Sequence, residues 1–194
     1  MFLTALPVAL AVAIGVPLGI IAQRNKLAAP LILNTASVFL TIPSLALFSL
    51  MIPLFGIGNP PVIVALTMYA LLPIIRNTVS GLQSVDPAIG ESARGMGMSN
   101  LQRLWRVEMP NAWPIVLTGI RVATLLTVGI AAIAAVIGGG GLGNEIYSNG
   151  IRRIGSPGAV NAVIGGTLAI LVLAALFEGL FRVIGRFTIS RGIA

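Results

Sequence analysis

Residues 27–75 read LAAPLILNTASVFLTIPSLALFSLMIPLFGIGNPPVIVALTMYALLPII, a run of 49 residues without a charged side chain. A helix that rises 1.5 Å per residue crosses the roughly 30 Å hydrocarbon core of a bilayer with about 20 residues. The run is therefore long enough for two crossings. A turn between them is predicted at residues 55–61, FGIGNPP, because glycine and proline break helices and asparagine favours turns.

Three further uncharged stretches, residues 1–23, 122–144 and 154–177, extend this pattern over most of the chain. Charged residues make up 9% of the sequence, against roughly 25% in soluble domains, and the mean hydropathy is +1.02. We predict an all-α membrane protein with one transmembrane domain over residues 1–194. Its spans are expected at residues 2–22, 28–54, 61–80, 112–137 and 159–185, with six crossings as the alternative. Because the second span contains Pro43, it should be kinked there or divided into two shorter segments.

Several kinds of chemistry are excluded by composition. The chain has no cysteine and no histidine, which removes disulfides, thiol nucleophiles and the usual zinc, haem and iron–sulfur ligand sets. We expect no metal and no cofactor. Lys26 is the single lysine and follows Asn25, so no Gly-Lys-Ser/Thr phosphate loop exists. The protein is thus expected to be no enzyme, and any ATP that drives it must bind another subunit.

The net charge of +7 is explained by membrane orientation and not by nucleic acid, because the basic residues sit in short loops between spans. With five spans, Arg152 and Arg153 fall on one side and Arg121 lies inside the fourth span. The other nine basic residues share the opposite side: Arg24, Lys26, Arg76, Arg94, Arg103, Arg106, Arg182, Arg186 and Arg191. The positive-inside rule then places the N-terminus outside and the C-terminus in the cytoplasm.

Gly15 and Gly19 lie four residues apart in the first span. Such spacing of small residues gives a face on which a neighbouring helix approaches closely. The other interpretation is a pair of ordinary glycines in a helix that faces lipid.

The cytoplasmic loop, residues 81–111, holds the one long polar stretch and carries the signals of two short helices. Asp86 is a predicted N-cap with proline next to it, and Ser99 with Gln102 forms a capping box. Glycines at 95 and 97 should separate the helices, and Pro110 should end the second. We therefore predict a helix-turn-helix elbow on the cytoplasmic face.

Apolar residues interrupt the arginines of this elbow, and exposed apolar side chains rimmed by charge are typical of a docking site. The alternative is that they pack back against the spans of the same chain. The residues concerned are Met96, Met98, Leu101, Leu104 and Trp105.

Within this loop, Glu91-Ser92-Ala93, three residues, Gly97, nine residues and Val107-Glu108-Met109-Pro110 closely resemble the EAA loop of ABC-importer permeases. That family's pattern is Glu-Ala-Ala, three residues, Gly, nine residues, Ile, any residue, Leu, Pro. The spacing matches throughout, and this chain departs from the pattern at Ser92, Val107 and Met109.

Three further stretches, residues 41–47, 52–58 and 138–144, are similar to the osmoprotectant branch, whose members import glycine betaine, choline, carnitine and related compounds. Methionine-type or other amino-acid permeases share much of this pattern and are the alternative. The resemblance implies a methionine-permease-like fold in the bacterial cytoplasmic membrane.

The resemblance also implies the roles of several residues and the partners. It makes Glu91, Ser92, Ala93 and Gly97 the residues that couple to a cytosolic ATPase, with Val107 and Pro110 completing the pattern. A solvated helix charge is the alternative for Glu91 alone. The implied assembly pairs this chain with a second permease subunit, identical or different. An extracytoplasmic substrate-binding protein completes it.

Arg121 is expected either to serve the translocation path or to have a structural role, since an unpaired charge in a span costs at least about 2.5 kcal/mol. Glu178 and Arg182, four residues apart near the end of the fifth span, are expected to pair along one helix face for structural reasons.

The glycine-rich segment, residues 138–158, is expected to be an external loop. Its residues Glu145, Tyr147, Arg152 and Arg153 are candidate contacts for the substrate-binding protein, and a simple connector is the alternative. Eleven scattered aromatic residues favour a quaternary-amine cage in the binding protein and not in this chain. An ATP-independent channel or secondary carrier is the competing class. Such carriers usually hold ionisable residues near the midplane, where this chain has Arg121 at most.

Overall fold

The structure, a computed structural model, describes residues 1–188, and every regular element within them is helical. The predicted all-α fold is confirmed. Arg191, which we assign to the cytoplasmic side, lies outside the described residues. Four helices are long and apolar enough to cross a membrane, and a bent pair of shorter helices raises the number to as many as five.

The four long helices are α1 (Phe2–Arg24), α4 (Asn59–Gln83), a continuous helix over Asn100–Ala131, and α8 (Ala159–Thr188). The third of these comprises α6 (Asn100–Arg103), a π-helical turn (Leu104–Glu108) and α7 (Met109–Ala131). The bent pair is α2 (Ala28–Thr41) and α3 (Ser44–Phe55), and the short helix α5 (Pro87–Gly95) precedes α6.

The α2–α3 pair bends by 103° at Pro43, so the second predicted span is two shorter segments and not one kinked helix. A break of this kind frees backbone carbonyls that must find donors inside a membrane. The hydroxyl of Tyr69 on α4 donates to the carbonyl of Ile42 at 2.6 Å. Tyr69 is itself buried, so the break is held against the centre of the protein.

Helix α4 lies at the centre and packs between α1 and α7, which is why it is the most buried of the long helices. Glycines permit both contacts. A Cβ atom on Gly19 of α1 would lie 2.6 Å from the Thr78 Cβ, and one on Gly119 of α7 would lie 2.5 Å from the Asn77 Cβ. The close-approach interpretation of the α1 glycines is therefore confirmed.

The expectation that Pro110 ends the second elbow helix is wrong, because the helix continues through it into α7. In a regular α-helix the proline ring would clash with the carbonyl four residues earlier. Here a π-helical turn comes first, and the Met109 N–H donates to the Leu104 carbonyl five residues back. The wider turn gives the ring room, so the second elbow helix is continuous with a membrane helix.

Residues 138–158, predicted as a loop, are partly helical, with a π-helical turn at Glu145–Gly150 and a 3-10 turn at Ile151–Arg153. Another 3-10 turn, Ile133–Ile137, extends α7. The Gly140 N–H donates to the Asn59 side-chain oxygen at 2.8 Å, which ties the glycine run to the start of α4.

Helix α8 packs on α7 along one side and leaves most of its apolar surface exposed, as expected of a helix that faces lipid or a second subunit. Its exposed apolar residues include Val160, Ile164, Leu168, Leu171, Val172, Leu176, Leu180 and Val183.

Candidate coupling elbow

The first elbow helix, α5, presents the predicted coupling residues on different faces. The Asp86 carboxylate accepts from the Ala88 N–H at 2.8 Å and caps the helix as predicted. Glu91 and Ser92 are exposed, and the Ser92 hydroxyl donates to the Ala88 carbonyl at 2.8 Å. Ala93 is 1% exposed. The first two can therefore meet a partner, while Ala93 holds α5 against its own chain.

Gly97 ends α5 in a left-handed conformation, with φ of +78°. The Met98 N–H bonds to the Ala93 carbonyl at 3.2 Å, and the Gly97 N–H bonds to the Arg94 carbonyl at 3.0 Å. These two bonds are a Schellman motif, which needs a positive φ and so favours glycine. A Cβ at this position would meet nothing within 4 Å, so the requirement for glycine is conformational and not steric.

The second elbow helix begins with the predicted capping box. The Ser99 N–H donates to the Gln102 side-chain oxygen at 2.9 Å, and the Gln102 N–H donates to the Ser99 hydroxyl at 3.3 Å. Both ends of the turn between the helices are thus fixed by local hydrogen bonds.

The apolar residues of the elbow divide between the two interpretations. Leu104 packs in the core among α4 and α7 residues. Exposure is 70% for Met96, 65% for Leu101 and 55% for Trp105. We call Ile89, Met96, Leu101 and Trp105 the exposed apolar surface of the elbow. Several exposed apolar side chains on one elbow, together with the exposed charge of Glu91, are typical of a docking site.

Glu108 is the residue of this site that the sequence reasoning missed. Its carboxylate accepts from the Arg103 Nε at 2.7 Å and pairs with the Arg24 guanidinium at 3.4 Å. The Glu108 side chain is 18% exposed. Arg24 also donates to the Asn100 carbonyl, at 3.5 Å. The signal in the sequence was an acidic residue among arginines, but nothing local pointed to α1.

Arg121 of α7 pairs with Glu178 of α8 through two guanidinium nitrogens, and the Nε contact is 2.7 Å. Arg182, the expected partner of Glu178, approaches it only to 3.9 Å. The charge in the span is therefore compensated across two helices and not along one.

Residues 15–190 of this chain match the sequence model of a protein family described as "binding-protein-dependent transport system inner membrane component". The chain belongs to this family. It is 46% identical to the osmoprotectant import permease protein OsmW of Salmonella typhimurium over 94% of this chain and 85% of that one. The carnitine transport permease protein OpuCB of Listeria monocytogenes is 39% identical over 92% and 79%. A glycine betaine/carnitine/choline permease protein, OpuCB of Bacillus subtilis, is 35% identical over 100% and 87%.

Among solved structures, the MetNI methionine ABC transporter in inward-facing conformations matches the permease with a TM-score of 0.82. That match covers 96% of this chain and 91% of the other at 23% identity, so it shows the fold alone. The expected methionine-permease-like fold and the family resemblance are both confirmed.

The predicted external residues lie at the other end of the permease from the elbow, since α7 spans 23 residues, or about 34 Å, between them. Glu145, Arg152 and Arg153 are exposed, and Tyr147 is half-buried. Glu145 accepts a 2.9 Å hydrogen bond from the Asn149 side chain. Among residues 1–188 no group of three or more His, Cys, Asp and Glu side chains is placed to hold a metal.

Proposed function

We propose that this permease forms the translocation path for an osmoprotectant such as glycine betaine, choline or carnitine and is driven by a separate cytosolic ATPase. The substrate class is supported by the names of three relatives at 35–46% identity: one specifies osmoprotectant import, one carnitine, and one glycine betaine, carnitine and choline. The likeness to the methionine transporter, at 23% identity, concerns the fold alone and does not favour the methionine alternative.

The observation that carries the ATPase partner is the elbow. Glu91 and Ser92 point outward from a helix whose two ends are fixed, next to an exposed apolar surface. The second elbow helix continues into α7 without a break, and the turn that joins α5 to it is held by the hydrogen bonds around Gly97. A force applied to the elbow is therefore transmitted to the membrane helix as rigid-body motion.

The proposed assembly has two permease subunits, with the path between them, two ATPases below and a substrate-binding protein outside. Closure of the ATPases rocks the subunits, and the path opens alternately to each side. The N-terminus is outside and the C-terminus cytoplasmic, as the basic loops favour. Glu145, Tyr147, Arg152 and Arg153 contact the binding protein, and Arg121 has a structural role through Glu178.

The elbow is tested by co-purification of the ATPase with the permease carrying Glu91→Lys. Charge reversal at this exposed position should reduce recovery of the ATPase and uptake together. Glu145→Lys is the matched control, because it makes the same change at an exposed glutamate on the opposite side and should leave ATPase recovery intact. Full recovery with Glu91→Lys would contradict the elbow assignment.

The substrate is tested by uptake of labelled glycine betaine at high osmolarity, in cells with and without this gene and without other betaine carriers. Choline, carnitine, proline and methionine serve as competitors. Loss of uptake that choline and carnitine compete for is the expected result. Unchanged betaine uptake would contradict the substrate class and leave the permease assignment standing.

A further inference from the structure

A cleft separates α7 and α8 near the end of the molecule that carries the elbow. It has a volume of about 330 Å³ and is lined by residues that include Pro114, Leu117, Arg121, Phe181, Arg182 and Arg186. A water molecule takes about 30 Å³, so the space corresponds to roughly ten waters, enough for a phosphate and part of a glycerol unit. We call it the α7–α8 groove.

The groove carries an excess of positive charge. Every Asp, Glu, Lys and Arg of α7 and α8 is in it or at its inner end, and these are Arg121, Glu178, Arg182 and Arg186. Glu178 is committed to Arg121 by two contacts. Arg182 is 79% exposed and 3.9 Å from that carboxylate, and Arg186 has no ion pair among residues 1–188. Two positive charges, those of Arg182 and Arg186, are therefore in excess at the end of the groove that lies nearer the elbow.

Arg182 and Arg186 are one helical turn apart, so they share a face of α8 and lie about 6 Å apart along its axis. Guanidinium groups bind phosphate oxygens through paired hydrogen bonds. Two flexible arginine side chains at this spacing can meet one phosphodiester from both sides.

The surroundings of the groove favour a lipid over a free anion. Pro114 and Leu117 of α7 and Phe181 of α8 give the groove apolar walls beside its arginines. At the end of the groove nearer the elbow, the Trp113 indole donates a 2.8 Å hydrogen bond to the Thr188 hydroxyl. Tryptophan is enriched at membrane interfaces, so this end of the groove fits the interface. An acyl chain can lie on the apolar side chains while the headgroup stays at the arginines.

We propose that the α7–α8 groove binds the headgroup of an anionic phospholipid, whose phosphate is held by Arg182 and Arg186. The leaflet is cytoplasmic because the groove opens beside the start of α7, where the elbow faces the ATPase in the proposed function. Basic clefts between membrane helices on that side are suited to anionic headgroups.

The test uses Trp113 as a reporter in the full-length permease assembled with its ATPase. The chain has two tryptophans, and Trp105→Phe leaves Trp113 as the single one in this chain. The change keeps an aromatic side chain in the exposed apolar surface of the elbow, and equal recovery of the ATPase with this variant and with the unmodified permease is the condition for its use. The ATPase is used in a tryptophan-free form. Quenching by a small fraction of brominated phosphatidylglycerol in phosphatidylcholine vesicles is compared with quenching by brominated phosphatidylcholine. Two arginines near a membrane surface predict a preference on the order of tenfold for the anionic lipid.

The preference should disappear in Arg182→Gln/Arg186→Gln and persist in the matched control Arg152→Gln/Arg153→Gln, which removes two exposed arginines at the other end. Equal quenching by both lipids, or an unchanged preference without the groove arginines, would overturn the proposal. Displacement by glycerol 3-phosphate at constant ionic strength would assign the groove to a soluble phosphate instead. No quenching by either lipid would overturn the proposal too, because the groove would then be closed to lipid. Loss of ATPase recovery in elbow variants is a separate readout and decides the proposed function.

Discussion

Arg24 at the end of α1 and Glu108 at the start of the α7 region form an ion pair at 3.4 Å although 84 positions separate them. Arg103 shares the same carboxylate at 2.7 Å. This cluster connects the elbow to a second membrane helix besides α7. The elbow is thus attached both to α7 and to α1, so a displacement of the elbow would be transmitted to two membrane helices.

Glu108→Gln should lower the stability of the permease by about 1 kcal/mol, because a partly buried carboxylate loses the charge that two guanidinium groups share. The apparent Tm in detergent is the measurement. Glu91→Gln is the control, since it neutralises an exposed glutamate without an ion pair among the described residues and should leave the Tm unchanged. A Tm equal to wild type in Glu108→Gln would show that the cluster does not hold the elbow.

Gly97→Ala should cost about 1 kcal/mol, because alanine is strained at the φ of +78° that the end of α5 requires. Gly90→Ala is the matched control within the same helix. Gly90 has open space around it and lies inside α5, so alanine there should stabilise by about 0.5 kcal/mol or more. Thermal unfolding of the two variants and ATPase recovery provide the comparison. Equal effects of the two substitutions would contradict the Schellman assignment.

Gly19→Val should destabilise the α1–α4 contact by about 1–3 kcal/mol, since even a Cβ would lie 2.6 Å from the Thr78 Cβ. Gly129→Val on α7 is the control, because a Cβ there meets nothing within 4 Å. The amount of folded protein recovered from membranes and the apparent Tm measure the difference. A Gly19→Val protein as stable as Gly129→Val would mean that α1 and α4 do not approach closely.

Arg121→Gln and Glu178→Gln should each destabilise the protein, because each leaves its partner's charge in a membrane span. The double variant should be more stable than the sum of the single effects predicts, by on the order of 1 kcal/mol. Arg182→Gln, whose contact with Glu178 is long and exposed, should cost less than either. Strict additivity in this double-mutant cycle would show that the pair does not contribute to stability.

Much of the fold followed from short-range signals. Runs without charge mark membrane helices because each charged side chain in hydrocarbon is costly, and this cost depends on no other part of the chain. Capping is equally local, and so the helix starts at Asp86 and Ser99 and the turn at Gly97 lie where the sequence indicates. The functional roles of the elbow residues stay predictions.

Other features depended on which helices meet. Leucine and tryptophan are apolar alike, so the sequence did not separate buried Leu104 from exposed Trp105. Pro110 reads as a helix end until a π-helical turn accommodates its ring.

By itself, the sequence determined the apolar membrane helices and the capped helix starts of the elbow, because these depend on the local cost of charge in hydrocarbon and on hydrogen bonds within a few residues. The tertiary structure alone decided that Glu108 pairs with Arg24 and that Glu178 pairs with Arg121 before Arg182. Charge partners distant in sequence are selected by the packing of α1, α7 and α8, and no local pattern records that choice.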